Sequence, residues 1–344
     1  MIYNSNIVFF GSSEFSVYVL DELKLHGITP SLIITTPDKP KGRKLTLTPN
    51  VVKTWGLENG IEVWDPASLK KDNEALIQNL KSKNSDLFLV ASYGKIIPKD
   101  IFEIPAKQTL NIHPSLLPKY RGASPIQSQI LNDEKEIGVS IMVISEGMDE
   151  GPVIIKKVIP SQIVQNCTDI SSSEFLEQQG FMGLARLTEP STRNFSAEKY
   201  PCPENPVAKE ILLNKLGRIE LEKILAREGA RLFAHILPEW MQGVIDPIMQ
   251  SEAEATYCKK IEKEDGLLDL NDDPYQNYLK IKALEGWPGT YFFLDTPKQS
   301  EGGTKTQRVI VKEAEFKNGK LEILKVLPEG KKEMPYSDFL RGFK

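Results

Sequence analysis

In the run NIHPSLLPKYRG, from Asn111 to Gly122, an amide and an imidazole stand two residues apart just ahead of a proline-bounded turn. An Asn side chain donates N–H groups to a developing oxyanion and a His moves a proton near pH 7, so the pair suits acyl or formyl transfer. The pattern N-x-H alone describes a structural turn with a hydrogen-bonded His equally well. A carboxylate follows in GVSIMVISEGMDEGPVI, from Gly138 to Ile154, which reads as an alternating strand, an acidic turn holding Asp149 and a second apolar strand. Lying beside the first strand, Asp149 would hold His113 in one tautomer and stabilise its cation. Otherwise it is a solvated turn aspartate.

The elements that must position these groups are also legible. Thr109, Leu110 and Ile112 read as the end of a buried strand that Pro114 and Pro118 prevent from continuing. Asn111 and His113 then share one face at the strand's carboxyl end, where open α/β sheets bind ligands. NIVFFG, SLIITT, IEVWDP and DLFLVAS alternate with helical patterns at the pace of βαβ units, predicting a parallel, helix-covered sheet. The first strand ends in Gly11-Ser12-Ser13-Glu14, which lacks the later glycines of a dinucleotide fingerprint; Ser12 or Ser13 serves as a helix cap.

With 344 residues the chain has room for two domains, and its 26% charged and 40% apolar content is that of a globular protein. It has no apolar run of eighteen residues, and MIYNSNIVFFG lacks the basic start of a signal peptide. Cys167, Cys202 and Cys258 are far apart and outside metal-ligand spacing, so the reading is free thiols in a reducing cytoplasm and no metal. A net charge of -4 argues against a generic nucleic-acid binder, although attraction to phosphates needs only a local basic surface. DKPKGRK is one such surface; another follows Gly303, where ten Lys or Arg stand against six Asp or Glu. After Gly243, WPGTYFFL, RVIVKEAEF and KLEILKVL are short strands with Gly, Pro and Lys turns, the spacing of a small barrel.

Together these segments resemble the folate-dependent formyltransferases. Besides SLLPKYRGASPI and EGMDEGP, the shared text includes FFGSSEFS at Phe9 to Ser16, TTPDKPKGRKLTLTP at Thr35 to Pro49 and ASYGKIIP at Ala91 to Pro98. Near the end it includes KKIEKEDGLLDL at Lys259 to Leu270, WPGTYFFL at Trp287 to Leu294 and PEGKKEMPYSDFLRG at Pro328 to Gly342. The resemblance implies an α/β, Rossmann-like formyltransferase domain over 1–245 and a small OB-like β-barrel domain over 246–344. It makes Asn111, His113 and Asp149 the catalytic trio and places Tyr93, Gly94, Ile96, Ser115, Leu116, Leu117 and Pro118 against the folate. Lys41, Arg43 and Lys44, with Lys39, would meet tRNA from the Asp38 to Leu47 segment, and Lys259, Lys260 and Lys263 would meet phosphates. Trp287, Tyr291 and Phe292 are expected as barrel core or interdomain packing.

The implied reaction carries the formyl group of 10-formyltetrahydrofolate to the α-amine of methionyl initiator tRNA, in a monomeric cytoplasmic enzyme without a metal. A sugar-amine N-formyltransferase or a 10-formyltetrahydrofolate hydrolase would share the trio, and a silent RNA-binding relative would have no use for it. One stretch departs from the pattern: about 165–215 interrupts the approach to the helix expected over Glu220 to Trp240, and reads as a surface excursion. His235 on that helix reads as a surface or packed residue.

Overall fold

Five short runs of β-branched and aromatic residues build the centre of the molecule. A computed structural model describes residues 5–41, 46–70, 74–159, 216–297 and 304–342. The chain opens with β1 (Ile7–Gly11), α1 (Glu14–Leu25) and β2 (Leu32–Ile34), then a hairpin of β3 (Lys39–Lys41) and β4 (Thr46–Thr48). Next come α2 (Val51–Glu58), β5 (Glu62–Trp64), α3 (Glu74–Ser82), β6 (Leu87–Ala91) and α4 (Lys99–Phe102). The central stretch contains β7 (Thr109–His113), β8 (Arg121–Gly122), α5 (Pro125–Leu131), β9 (Gly138–Val143) and β10 (Val153–Val158).

These strands make a seven-stranded sheet of order β10-β9-β7-β6-β1-β2-β5. β7, β6, β1, β2 and β5 are parallel, and β1, β6 and β9 are buried along their whole length. Burial on both faces explains why their sequences are continuously apolar rather than alternating. The four runs read as βαβ units are parallel as expected, and the sheet is completed at one edge by two antiparallel strands, β9 beside β7 and β10 beside β9. Residues 144–152 are too few for a crossover, so β9 and β10 can only pair antiparallel.

Helix α6 (Arg218–Gln242) covers one face of this sheet, closely matching the span expected over Glu220 to Trp240. At about 1.5 Å per residue its 25 residues span about 37 Å. A Cβ on Gly229 would come within 2.4 Å of Ile112 Cγ2, so glycine is what lets the helix approach the strand that carries Asn111 and His113. Glu228 on α6 is buried between Arg231 and Lys157, at 2.5 and 2.6 Å, and Arg231 also reaches Glu22 of α1 at 2.7 Å. His235 lies on the exposed side of the helix. Helix α1 starts at Ser13, where Ser16 Oγ accepts from the Ser12 and Ser13 amides, and no dinucleotide fingerprint is involved.

Beyond α6 come β11 (Tyr257–Cys258), α7 (Pro274–Ala283), β12 (Thr290–Pro297), β13 (Thr304–Lys317), β14 (Lys320–Pro328), β15 (Met334–Pro335) and α8 (Tyr336–Arg341). The last four strands form an antiparallel sheet in sequence order, and Leu267 adds a bridge to Tyr291 on β12. Phe292, Val309, Val311, Val326 and Phe339 are its core. This is the small OB-like β domain that follows the Rossmann-like one. Among the described residues no helix is long and apolar enough to cross a membrane. The unusual stretch at about 165–215, including Cys167 and Cys202, lies outside the described residues.

Candidate active site

β7 puts Asn111 and His113 on one face of the sheet at its carboxyl end, between β6 and β9: Asn111 is opposite Val90 and Met142, and His113 opposite Ser140. His113 is buried, whereas Asn111 is half-buried. No hydrogen bond joins the Asn111 carboxamide to another described residue. The His113 ring is oriented by the turn that follows. Its Nε2 lies 3.0 Å from the Tyr120 carbonyl oxygen, which can only accept, so Nε2 carries a hydrogen. Nδ1 is left to exchange a proton.

Asp149 reaches that nitrogen. Its Oδ2 is 3.7 Å from His113 Nδ1 and accepts the Gly122 amide hydrogen at 2.8 Å. Gly122 must be glycine on two counts, a φ of +118° and a Cβ position 2.4 Å from the Cys258 carbonyl oxygen. That close approach comes from β8 pairing in parallel with β11, with Arg121 opposite Tyr257 and Gly122 opposite Cys258. The strand beside this turn therefore comes from beyond α6.

Arg121 ties the same segments together. Its side chain is 0% exposed; it donates to both Glu252 carboxylate oxygens at 3.0 and 2.8 Å, to Tyr257 Oη at 2.9 Å and to Gln250 Oε1 at 3.0 Å. The Glu252 carboxylate raises the Arg121 pKa, and Arg121 in turn holds Glu252 below the usual carboxylate range. Burial pushes the Cys258 thiol up, so this cysteine is an inert packed group. The sequence singles out Asn111, His113 and Asp149, which the fold brings to one end of β7, but does not point to the Tyr120 carbonyl, the Gly122 amide, Arg121 or Gln250 around them. YRG sits inside the quoted motif and could have been singled out, whereas nothing local marks Gln250.

The residues expected against the folate divide into lining and frame. Ser115 is fully buried with its hydroxyl donating to the Lys119 carbonyl at 2.6 Å, and Leu117 packs with Met142 and Val153. Ser140 Oγ bridges the Ser115 carbonyl and the Leu117 amide. These two side chains shape the turn, while Leu116 and Pro118 are half-buried. On the neighbouring loop Gly94 is exposed and Ile96 is 67% exposed. Tyr93 lies edge-on to Phe10 at 5.5 Å, its hydroxyl buried without a hydrogen-bond partner among the described residues and its pKa pushed up to about 12 by burial.

Lys41 ends β3, and Arg43 and Lys44 lie outside the described residues. The base of that segment is fixed by Lys53, which bridges Asp38 at 3.1 Å and Asp65 at 2.7 Å. Lys259, Lys260 and Lys263 are exposed, with Lys259 3.5 Å from Asp265. Of the three aromatics expected as packing groups, Phe292 is core. Tyr291 instead carries the Arg308 guanidinium 3.7 Å from its ring centre, and Trp287 is 51% exposed.

Comparison with known proteins adds to this geometry. The family model described as formyl transferase matches residues 5–182, and that described as formyl transferase, C-terminal domain, matches residues 260–344. The chain is similar to methionyl-tRNA formyltransferase of Thermodesulfovibrio yellowstonii, 32% identical over 352 aligned residues that cover 99% of this chain and 97% of that protein. Among solved structures, methionyl-tRNA formyltransferase from Clostridium thermocellum superposes with a TM-score of 0.51 at 16% identity, covering 94% of this chain and 98% of that one. The N-formyltransferase from Helicobacter canadensis, solved with folinic acid and dTDP-3-aminofucose, gives 0.51 at 14% identity, covering 93% and 95%. The fold alone therefore does not separate a tRNA from a sugar acceptor.

Proposed function

The chain belongs to the formyl transferase family, and from that premise we infer its reaction: the formyl group of 10-formyltetrahydrofolate passes to the α-amine of methionyl initiator tRNA in translation initiation. The observation that carries this is end-to-end sequence identity of 32% with a methionyl-tRNA formyltransferase, across both domains rather than the catalytic one alone.

In this reading residues 1–245 perform the chemistry and 246–344 contribute to acceptor binding, in a monomer working in the cytoplasm. The half-buried Asn111 amide, unengaged by other described residues, is placed to donate to the formyl oxygen as charge develops there. His113, anchored through Nε2, is left with Nδ1 as its proton-exchanging atom, and the Asp149 carboxylate beside Nδ1 stabilises the imidazolium. The Tyr93 to Ile97 loop and the turn from Ser115 to Pro118 flank the carboxyl end of the sheet. We assign them to the reduced folate, with Ile96, Leu116 and Pro118 offering apolar surface and Tyr93 a buried neutral hydroxyl. The segment holding Lys41, Arg43 and Lys44 is assigned to the acceptor end of the tRNA.

The test supplies one formyl donor with three acceptors in parallel: methionyl initiator tRNA, a nucleotide-linked amino sugar, and water alone. Formyl-methionyl-tRNA is the expected product. Formylation of the sugar, or release of formate, at a rate above that on tRNA would replace this reading.

A further inference from the structure

Gln250 lies in the stretch between α6 and β11, 101 positions after Asp149, yet its carboxamide is bonded to the Asp149 turn. Nε2 donates to the Asp149 carbonyl oxygen at 2.8 Å and to the Gly151 carbonyl oxygen at 2.7 Å. Oε1 accepts from Arg121 Nε at 3.0 Å. A guanidinium cannot accept and a carbonyl cannot donate, so the amide has only one orientation that satisfies all three contacts. Arg121 is itself fixed by Glu252 and Tyr257, and its own backbone amide donates to the Thr256 carbonyl at 2.9 Å.

The turn needs such a clamp. Asp149 has a φ of +56°, a backbone state that a non-glycine residue keeps only where its surroundings over-determine it. Holding the carbonyls of 149 and 151 fixes the direction of the Asp149 Cα–Cβ bond. That direction decides whether Oδ2 can stand 2.8 Å from the Gly122 amide and 3.7 Å from His113 Nδ1 together. We propose that Gln250, from the segment between α6 and β11, is a positioning residue for the formyl transfer, acting solely through Asp149. The inference rests on the role given to Asp149 above. It ties the start of the acceptor-binding part to the chemistry itself.

The experiment measures kcat and KM for both substrates in the full-length Gln250→Glu, Asp149→Asn and double variants. Gln250→Glu keeps the size and the oxygen facing Arg121 but removes both donors to the Asp149 turn. Its kcat should fall about 10- to 100-fold, as a shift of about 1 Å at a reacting group does, with either KM changed less than about threefold. The double variant should be no slower than Asp149→Asn, because the clamp has no second route to the reaction. Wild-type kcat in Gln250→Glu overturns the proposal, as does a double variant slowed by the two factors multiplied. Wild-type kcat in Asp149→Asn overturns the reading of Asp149 instead, which separates the two failures. Should Gln250→Glu not fold, Gln250→Met removes the same donors without adding charge but also the acceptor facing Arg121 Nε. Its effect is then read against Gln250→Met in the Asp149→Asn background, where any further slowing overturns the proposal.

Discussion

His113 Nε2 stands 3.0 Å from the carbonyl oxygen of Tyr120, seven residues further along the same loop. A backbone acceptor thus selects the tautomer. Asp149, which the sequence suggested for that task, is left at 3.7 Å as an electrostatic partner of the other ring nitrogen. The two functions the sequence merged in one carboxylate are divided between a main-chain atom and a side chain.

Replacing Asn111 or His113 with Ala should lower kcat by about 10²- to 10⁴-fold, since in the proposed reaction one removes the oxyanion donor and the other the proton-exchanging ring. Asn111 is half-buried and unengaged by other described residues, so Asn111→Ala should keep a melting temperature near wild type. His113→Ala instead empties a buried ring site and takes the donor from the Tyr120 carbonyl, so its melting temperature should fall and its kcat is read well below it. Asp149→Asn should cost a similar factor, and combined variants should lose far less than the product of the single losses. Steady-state kinetics with circular dichroism melts check this. A full multiplicative loss would show that the three do not act in one step.

Gly122→Ala tests the support rather than the reacting groups. The added methyl would meet the Cys258 carbonyl at 2.4 Å on a backbone with φ of +118°. The φ strain alone costs about 1–3 kcal/mol. Relief requires β8 to part from β11, which withdraws the amide that holds Asp149 Oδ2. Activity should therefore fall even at temperatures where the variant is fully folded, which activity assays well below its denaturation midpoint will measure.

The Arg121 and Glu252 pair carries a pH signature. Glu252 has its folded-state pKa lowered, so its contribution is fully present above the ordinary carboxylate value of about 4.3 and is lost as pH falls through the lower folded value. Glu252 is 69% exposed, so the contribution is screened and modest. Glu252→Gln should therefore be less stable than wild type near pH 7, and the gap should close on acidification. Denaturant titrations of both proteins at pH 7 and pH 3 decide it; an equal gap at both values would remove this pair from the pH dependence.

The basic segment around Arg43 separates tRNA from small acceptors. Arg43→Ala should weaken use of methionyl-tRNA strongly while leaving folate affinity and any slow hydrolysis of the donor nearly unchanged. If Arg43 meets a phosphate, the slope of log K against log[salt] should become shallower by about one unit. Filter binding over a salt series gives the answer, and unchanged affinity, slope and rate would make the segment a solvated surface.

The amino-acid sequence by itself determined a great deal here. Continuous apolar runs at regular spacing identify β1, β2 and β6 as strands of a covered sheet, because burial on both faces leaves no place for polar side chains. The period of two in β7 puts Asn111 and His113 on one face, and an acidic turn between strands supplies Asp149; these are local patterns that local steric rules can read. Tertiary structure alone decided how the groups are held. The antiparallel placement of β9 beside β7, the Tyr120 carbonyl at Nε2, the Cys258 backbone against Gly122 and the Gln250 clamp are contacts between residues whose identities do not encode their partners. A main-chain carbonyl is present at every residue, and a lone Gln carries no periodicity. Only when β8 pairs with β11, across 136 positions from Arg121 to Tyr257, do such groups acquire a place and a role.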